Sequence, residues 1–83
     1  MLNEKQLVWR CRRGVRELDV LLTQFLASDY DRLSVDKQAD FQRMLEVQDP
    51  VIMDWLFGKY DSEDAGVQAI VERLKVLSGL AKK

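Results

Sequence analysis

The residues best suited to recognition chemistry lie close together near the N-terminus. Four arginines fall within eight residues, and two acidic residues follow them: Arg10, Arg12, Arg13, Arg16, Glu17 and Asp19. The guanidinium group of arginine presents a planar fork of donors that binds carboxylate or phosphate oxygens. The segment therefore favours recognition of an anionic or carbonyl-rich partner. The simpler alternative is a solvated basic face with one local ion pair.

Gly14 lies inside this segment, where a continuous helix would disfavour it. Glycine within a helix costs about 1 kcal/mol relative to alanine. It marks either a break with an unusual backbone or a place where another surface approaches the backbone closely. If the helix continued, Arg13 would pair with Glu17, whereas Arg12 and Arg16 would repel each other. No residue of the segment offsets that repulsion. An anionic or carbonyl-rich partner would offset it.

Most catalytic arrangements are absent from the sequence. It contains no histidine, which removes the usual general base and the commonest metal ligand. Cys11 is the single cysteine and cannot form a zinc site alone. The four glycines are scattered and match no dinucleotide- or phosphate-binding loop. The carboxylate pairs Asp29/Asp31 and Glu63/Asp64 are of the kind that turns and helix starts contain. We therefore predict that the chain is not an enzyme.

The charge pattern limits the classes of partner. Residues 1–18 carry a net charge of +3, residues 19–64 carry −7 and residues 65–83 carry +3. The isoelectric point is about 5.3, and nucleic-acid-binding domains usually lie above about 9. No apolar run approaches the roughly 20 residues of a membrane span, and the N-terminus lacks a signal-peptide pattern. We expect a cytoplasmic monomer that neither binds nucleic acid nor inserts into a membrane.

Apolar periodicity predicts five helices and no strands. Their expected positions are residues 4–12 with Asn3 as N-cap, residues 15–27, a helix capped by Ser34, a helix from Asp49-Pro50 to Gly58 with Asp49 as N-cap, and a helix from Ser62, its N-cap, to Gly79. The short connections predict a compact all-α five-helix bundle. We expect a single domain over residues 1–83, with residues 1–3 and 80–83 frayed.

The aromatic residues and Cys11 have expected positions in this bundle. Phe41 and Trp55 are assigned to the core, and Cys11, one turn after Leu7, is expected to be a small buried hydrophobe. Trp9 has two interpretations. It is either a core aromatic, which is more common, or an anchor at a protein interface.

The motifs in this order resemble the succinate dehydrogenase flavinylation factors, the SdhE family of small assembly proteins. The resemblance covers roughly residues 9–58. It rests on W-x-C-R-R-G at residues 9–14, RGxxE at residues 13–17, and Glu17-Leu18-Asp19 followed by Phe25. It continues through Tyr30-Asp31-Arg32-Leu33-Ser34, Phe41, Met44-Leu45, Asp49-Pro50 and Trp55-Leu56-Phe57-Gly58.

This resemblance implies a five-helix factor that promotes covalent attachment of FAD to the flavoprotein subunit of succinate dehydrogenase, or of fumarate reductase where one is present. The flavin, its binding fold and the acceptor histidine would belong to that partner, so we expect no stably bound cofactor here. The expected partner-binding residues are, in first rank, Arg13, Gly14 and Glu17 and, in second rank, Arg12, Arg16, Asp19 and Asp49. Gly14 would permit close backbone approach, and Arg13 would bind partner carbonyls or carboxylates.

One alternative class remains open at this point. The domain could regulate another protein by direct contact, as in a toxin–antitoxin-like pair, although no motif supports it. An independent catalytic role is a more distant possibility.

Overall fold

Five α-helices and one short 3₁₀ helix build the part of the chain that the structure describes, residues 2–79 of a computed structural model. The α-helices are α1 (Glu4–Arg10), α2 (Arg16–Ser28), α3 (Val35–Met44), α4 (Asp49–Leu56) and α5 (Ala65–Ser78), with the 3₁₀ helix Tyr30–Arg32 between α2 and α3. No strand occurs within these residues. The predicted all-α, five-helix architecture is confirmed.

The C-terminal helix α5 is the centre of the bundle. Helices α2, α3 and α4 all pack against it, and α1 packs against α2. The Cα radius of gyration is 11.7 Å, and a compact domain of this length is expected to have about 12 Å. The bundle is therefore compact, and α1 is its most peripheral helix.

The core forms where the apolar stripes of the helices meet. Phe25 of α2 and Phe41 of α3 are fully buried, with ring centroids 5.1 Å apart, and Tyr30 lies 5.5 Å from Phe41. Aromatic pairs at such distances add to the stabilisation from burial itself. The predicted core positions of Phe41, Trp55 and Cys11 are confirmed, since each is at most 7% exposed.

Several helix ends follow their expected chemistry. Asn3 caps α1 reciprocally with Gln6, and the Ser34 side chain accepts a hydrogen bond from the backbone N–H of Lys37. Gly58 and Gly79 follow α4 and α5 with φ angles of 78° and 86°. This left-handed conformation is one that glycine adopts without a steric penalty.

Two expected N-caps are wrong. Gln48, not Asp49, is the N-cap residue of α4, and Asp49 is its first residue. Its carboxylate is directed to the segment before α2 instead. At α5, the N-cap is Asp64 and not Ser62. The Asp64 carboxylate accepts from the N–H groups of Gly66 and Val67, while Ser62 Oγ accepts from the N–H of Asp64.

The N-terminal end of the described chain is joined to α3. Leu2 donates its backbone N–H to Gln42 Oε1 at 3.1 Å. Met1 and residues 80–83, including the tail expected to be frayed, lie outside the described residues. None of the helices within residues 2–79 combines the length and apolarity that a bilayer span requires.

Candidate partner-binding surface

Residues 11–15 form a loop that ends α1 and leads into α2. The helix predicted to reach residue 12 ends at Arg10, where the N–H of Cys11 bonds to the carbonyl of Leu7. Val15 occupies the N-cap position of α2 and has no side-chain acceptor to offer. Its backbone N–H instead donates to Asp49 Oδ2 at 3.3 Å. A carboxylate 34 residues away in the sequence therefore fastens the start of α2.

Arg13 fastens the same loop to the connection between α3 and α4. Its Nη2 donates to the carbonyl of Leu45 at 2.5 Å and its Nη1 to that of Val47 at 3.5 Å. Nη1 also lies 3.4 Å from Asp49 Oδ1, and the two side chains are only 14% and 16% exposed. These contacts, together with the Val15–Asp49 bond, are called the Arg13 clamp below.

The Arg13 clamp changes how two expected site residues are understood. Arg13 was expected to reach carbonyls or carboxylates of a partner. In this structure it binds carbonyl groups and a carboxylate of its own chain. Asp49 is likewise occupied by Arg13 and Val15. Arg13 and Asp49 therefore hold the loop of residues 11–15 in one position.

The other five expected partner-binding residues differ in their exposure to solvent. Four of them are exposed and form what we call the loop surface: Arg12, Gly14, Arg16 and Glu17. Among residues 2–79, no hydrogen bond or ion pair engages the three charged side chains of this set. The helix break separates Arg13 from α2, so the i,i+4 geometry considered for Arg13 with Glu17 does not arise. Asp19 is half-buried and accepts from Thr23 Oγ1 at 3.4 Å.

The fold of this domain does not require a glycine at position 14. The φ angle of Gly14 is not positive, so the backbone conformation is one that other residues adopt. A Cβ atom added there would have Asp49 Oδ2 as its nearest neighbour, at 4.0 Å, which is ordinary contact. The first of the two explanations for this glycine, an unusual backbone, therefore fails. The explanation that remains is close approach by another surface.

Two further residues beside the loop are informative. Trp9 is 73% exposed, so the core interpretation is wrong and the interface interpretation remains. Cys11 is fully buried, and burial raises the pKa of its thiol to about 11, with the charge of Arg13 opposing the shift. The Cys11 thiol is therefore protonated and inert at neutral pH, because the thiolate is the reactive form.

Sequence reasoning missed the backbone groups that complete the Arg13 clamp. The carbonyls of Leu45 and Val47 and the N–H of Val15 carry no sequence signal, since every residue type offers such groups. It also left unassigned the exposure of Phe57, at 62%. The position of Phe57, directly before the glycine that follows α4, was the one sequence feature that indicated this exposure.

The described residues show no cluster suited to a metal ion. Residues 2–79 contain no group of three or more potential metal-ligating side chains. Arg13 and Asp49, two charged residues of the expected site with side chains only 14% and 16% exposed, are engaged with each other. Whether FAD is ever bound directly stays a prediction.

Comparison with known proteins places the chain. The family model described as "Flavinator of succinate dehydrogenase" matches residues 5–78. The FAD assembly factor SdhE of Colwellia psychrerythraea is 44% identical over 79 residues, covering 90% of this chain and 87% of the relative. The SdhE of a Serratia species is 37% identical over 73 residues (88% and 83%), and that of Coxiella burnetii is 34% identical over 77 (93% and 94%). The chain belongs to the flavinator of succinate dehydrogenase family.

Proposed function

We propose that this domain is an FAD assembly factor that binds the flavoprotein subunit of succinate dehydrogenase and promotes covalent attachment of FAD. Where a fumarate reductase is present, its flavoprotein would be served in the same way. The observation that carries the proposal is family membership over residues 5–78, with relatives that are named for FAD assembly. The exposed and unengaged loop surface supports a role in protein–protein contact.

The loop surface suggests how such a factor would act. Arg12, Arg16 and Glu17 offer both signs of charge within six residues, which gives a contact orientation as well as affinity. Gly14 leaves the backbone open between them. The Arg13 clamp fixes this loop in advance of binding, so little ordering entropy is lost when the partner docks.

The division of labour follows from what the chain contains. The resemblance implies a histidine as the flavin acceptor, and this chain has none, so the acceptor would belong to the partner. A flavin carries its own reactivity, and the surrounding protein supplies orientation and electrostatics. We propose that this domain docks on the immature flavoprotein and holds its flavin and capping domains in a geometry competent for attachment.

In-gel flavin fluorescence of the succinate dehydrogenase flavoprotein tests this function directly. Cells lacking this protein would be complemented with wild type, Gly14→Arg or Glu17→Ala. Glu63→Ala is the matched control, because Glu63 is an exposed carboxylate on the α4–α5 connection. Circular dichroism and immunoblotting check that each variant is folded and present. We expect covalent flavin to be restored by wild type and Glu63→Ala only.

Two outcomes would overturn the proposal. The first is unchanged covalent flavin in the strain that lacks the protein. The second is co-purification of wild type with a different protein in stoichiometric amount and with no flavoprotein subunit. That second outcome would favour the regulatory alternative.

A further inference from the structure

An apolar groove opens beside the loop surface, where α2, α4 and α5 meet. Its volume is about 550 Å³, and its lining residues, which define the apolar groove below, are Glu17, Leu18, Leu21, Met53, Leu56, Phe57 and Ser78. Phe57 is 62% exposed at its edge. A concave apolar lining with an exposed aromatic side chain at its edge has the shape that receives an anchor side chain of a partner.

A second groove continues the first along α2. Its volume is about 450 Å³, and it shares Glu17, Leu21 and Ser78 with the apolar groove. It adds Arg16 and Val20 to the lining, and Val20 is 58% exposed. Arg16 and Glu17 belong to the loop surface, so the two grooves and the loop surface form one continuous face of the domain.

Glu17 brings a negative charge to the edge of the apolar groove, although it lies at the positive N-terminal end of α2, next to Arg16. The C-terminal ends of two helices line the groove: Leu56 and its C-cap Phe57 at the end of α4, and Ser78 at the end of α5. Helix C-termini carry partial negative charge. Glu17 adds a full negative charge, and no cation pairs with it within residues 2–79. Among residues 2–79, Glu17 is also the one charged residue that lines this groove.

We propose that the apolar groove seats a bulky apolar side chain of the flavoprotein subunit, next to a lysine or arginine of that subunit that pairs with Glu17. This inference rests on the proposed function and adds to it the chemistry of the partner segment. Continuity with the loop surface argues that one partner covers both.

Calorimetric titration of purified flavoprotein subunit, made in cells that lack this protein, tests the inference. The variants are Phe57→Ala, Phe57→Leu and Glu17→Gln. Val35→Ala is the matched control, since Val35 is 69% exposed and lines neither groove. Interface anchors in pockets dominate affinity, so we expect Phe57→Ala and Glu17→Gln each to weaken binding about tenfold or more. Phe57→Leu and Val35→Ala should stay within about threefold of wild type.

The possible outcomes separate this inference from the proposed function. If wild type does not bind the flavoprotein subunit, both are overturned. If wild type binds and Phe57→Ala binds equally well, the groove inference is overturned while the proposed function stands. Thermal unfolding of Phe57→Ala, monitored by circular dichroism, confirms that any loss of binding comes from a folded domain.

Two other occupants of the apolar groove would show themselves in the same experiments. A second copy of this chain would appear in sedimentation equilibrium as a dimer that Phe57→Ala dissociates, with flavoprotein affinity unchanged. The chain's own C-terminus would appear as about tenfold tighter flavoprotein binding by a variant that ends at Gly79. Either result would overturn the proposal.

Discussion

Arg13→Ala provides the most direct test of the structural reasoning, because the free energy at stake follows from the contacts. The guanidinium of Arg13 makes one short hydrogen bond to Leu45, a long one to Val47 and an ion pair with Asp49. A hydrogen bond to a charged group contributes about 1.5–3 kcal/mol. A partly exposed ion pair adds up to about 1 kcal/mol. We therefore expect Arg13→Ala to lower the free energy of unfolding by about 2–4 kcal/mol.

That loss is large for a domain of this size. At the usual value per residue, 83 residues correspond to about 4–12 kcal/mol of total stability. Urea unfolding followed by far-ultraviolet circular dichroism measures the change. With an m-value of about 1.5 kcal/mol/M, a loss of about 3 kcal/mol lowers the unfolding midpoint by about 2 M.

Arg12→Ala is the matched control for Arg13→Ala. Arg12 is the adjacent residue and is exposed, so its removal should change stability by less than about 0.5 kcal/mol. Arg13→Lys should recover only part of the loss, because an ammonium group lacks the planar fork of a guanidinium. Equal unfolding midpoints for Arg13→Ala and Arg12→Ala would refute the stabilising role of the Arg13 clamp.

Three further predictions concern one residue each. Gly14→Ala should change the free energy of unfolding by less than about 1 kcal/mol, since space exists for a Cβ. The same variant should reduce covalent flavin in the complementation assay, and an undiminished flavin signal would contradict close approach of a partner at Gly14. Burial raises the pKa of Cys11 to about 11, so stability should fall between pH 9 and 11 as the unfolded thiol ionises, and Cys11→Ala should remove that fall. The Arg43 hydrogen bond lowers the pKa of Asp64. The stabilisation that the ionised Asp64 carboxylate provides is therefore present above the ordinary aspartate pKa of about 3.9 and is lost in stronger acid. Below that pH, the urea unfolding midpoint of Asp64→Asn should depend less on pH than that of wild type.

The helices and the core were predictable from sequence because they depend on local periodicity. Leu18, Leu22 and Phe25 recur at the spacing of a buried helix stripe, and all three are at most 1% exposed. The glycines that end α4 and α5 were also recognisable, because their left-handed conformation excludes most other residues. These signals act within a few residues, where sequence order fixes the neighbours.

The contacts of the candidate site were less predictable because they join distant segments. Asp49 before Pro50 has the pattern of an N-cap, but Arg13 and the N–H of Val15 compete for its carboxylate. Asp64, rather than Ser62, caps α5, where its carboxylate also bonds to Arg43 of α3 at 3.0 Å. In both cases the carboxylate also binds a partner more than 20 positions away in the sequence.

Because of the Arg13 clamp, loss of Arg13 and loss of Gly14, the first two residues of the RGxxE motif, should have different consequences in a cell. Loss of Arg13 would raise the unfolded fraction, and proteases would then lower the amount of the protein. Loss of Gly14 would leave the amount intact and impair contact with the partner. Extra gene copies should therefore compensate for an Arg13 variant and fail to compensate for a Gly14 variant. Gene dosage thus separates a residue that holds the loop from a residue that is proposed to contact the partner.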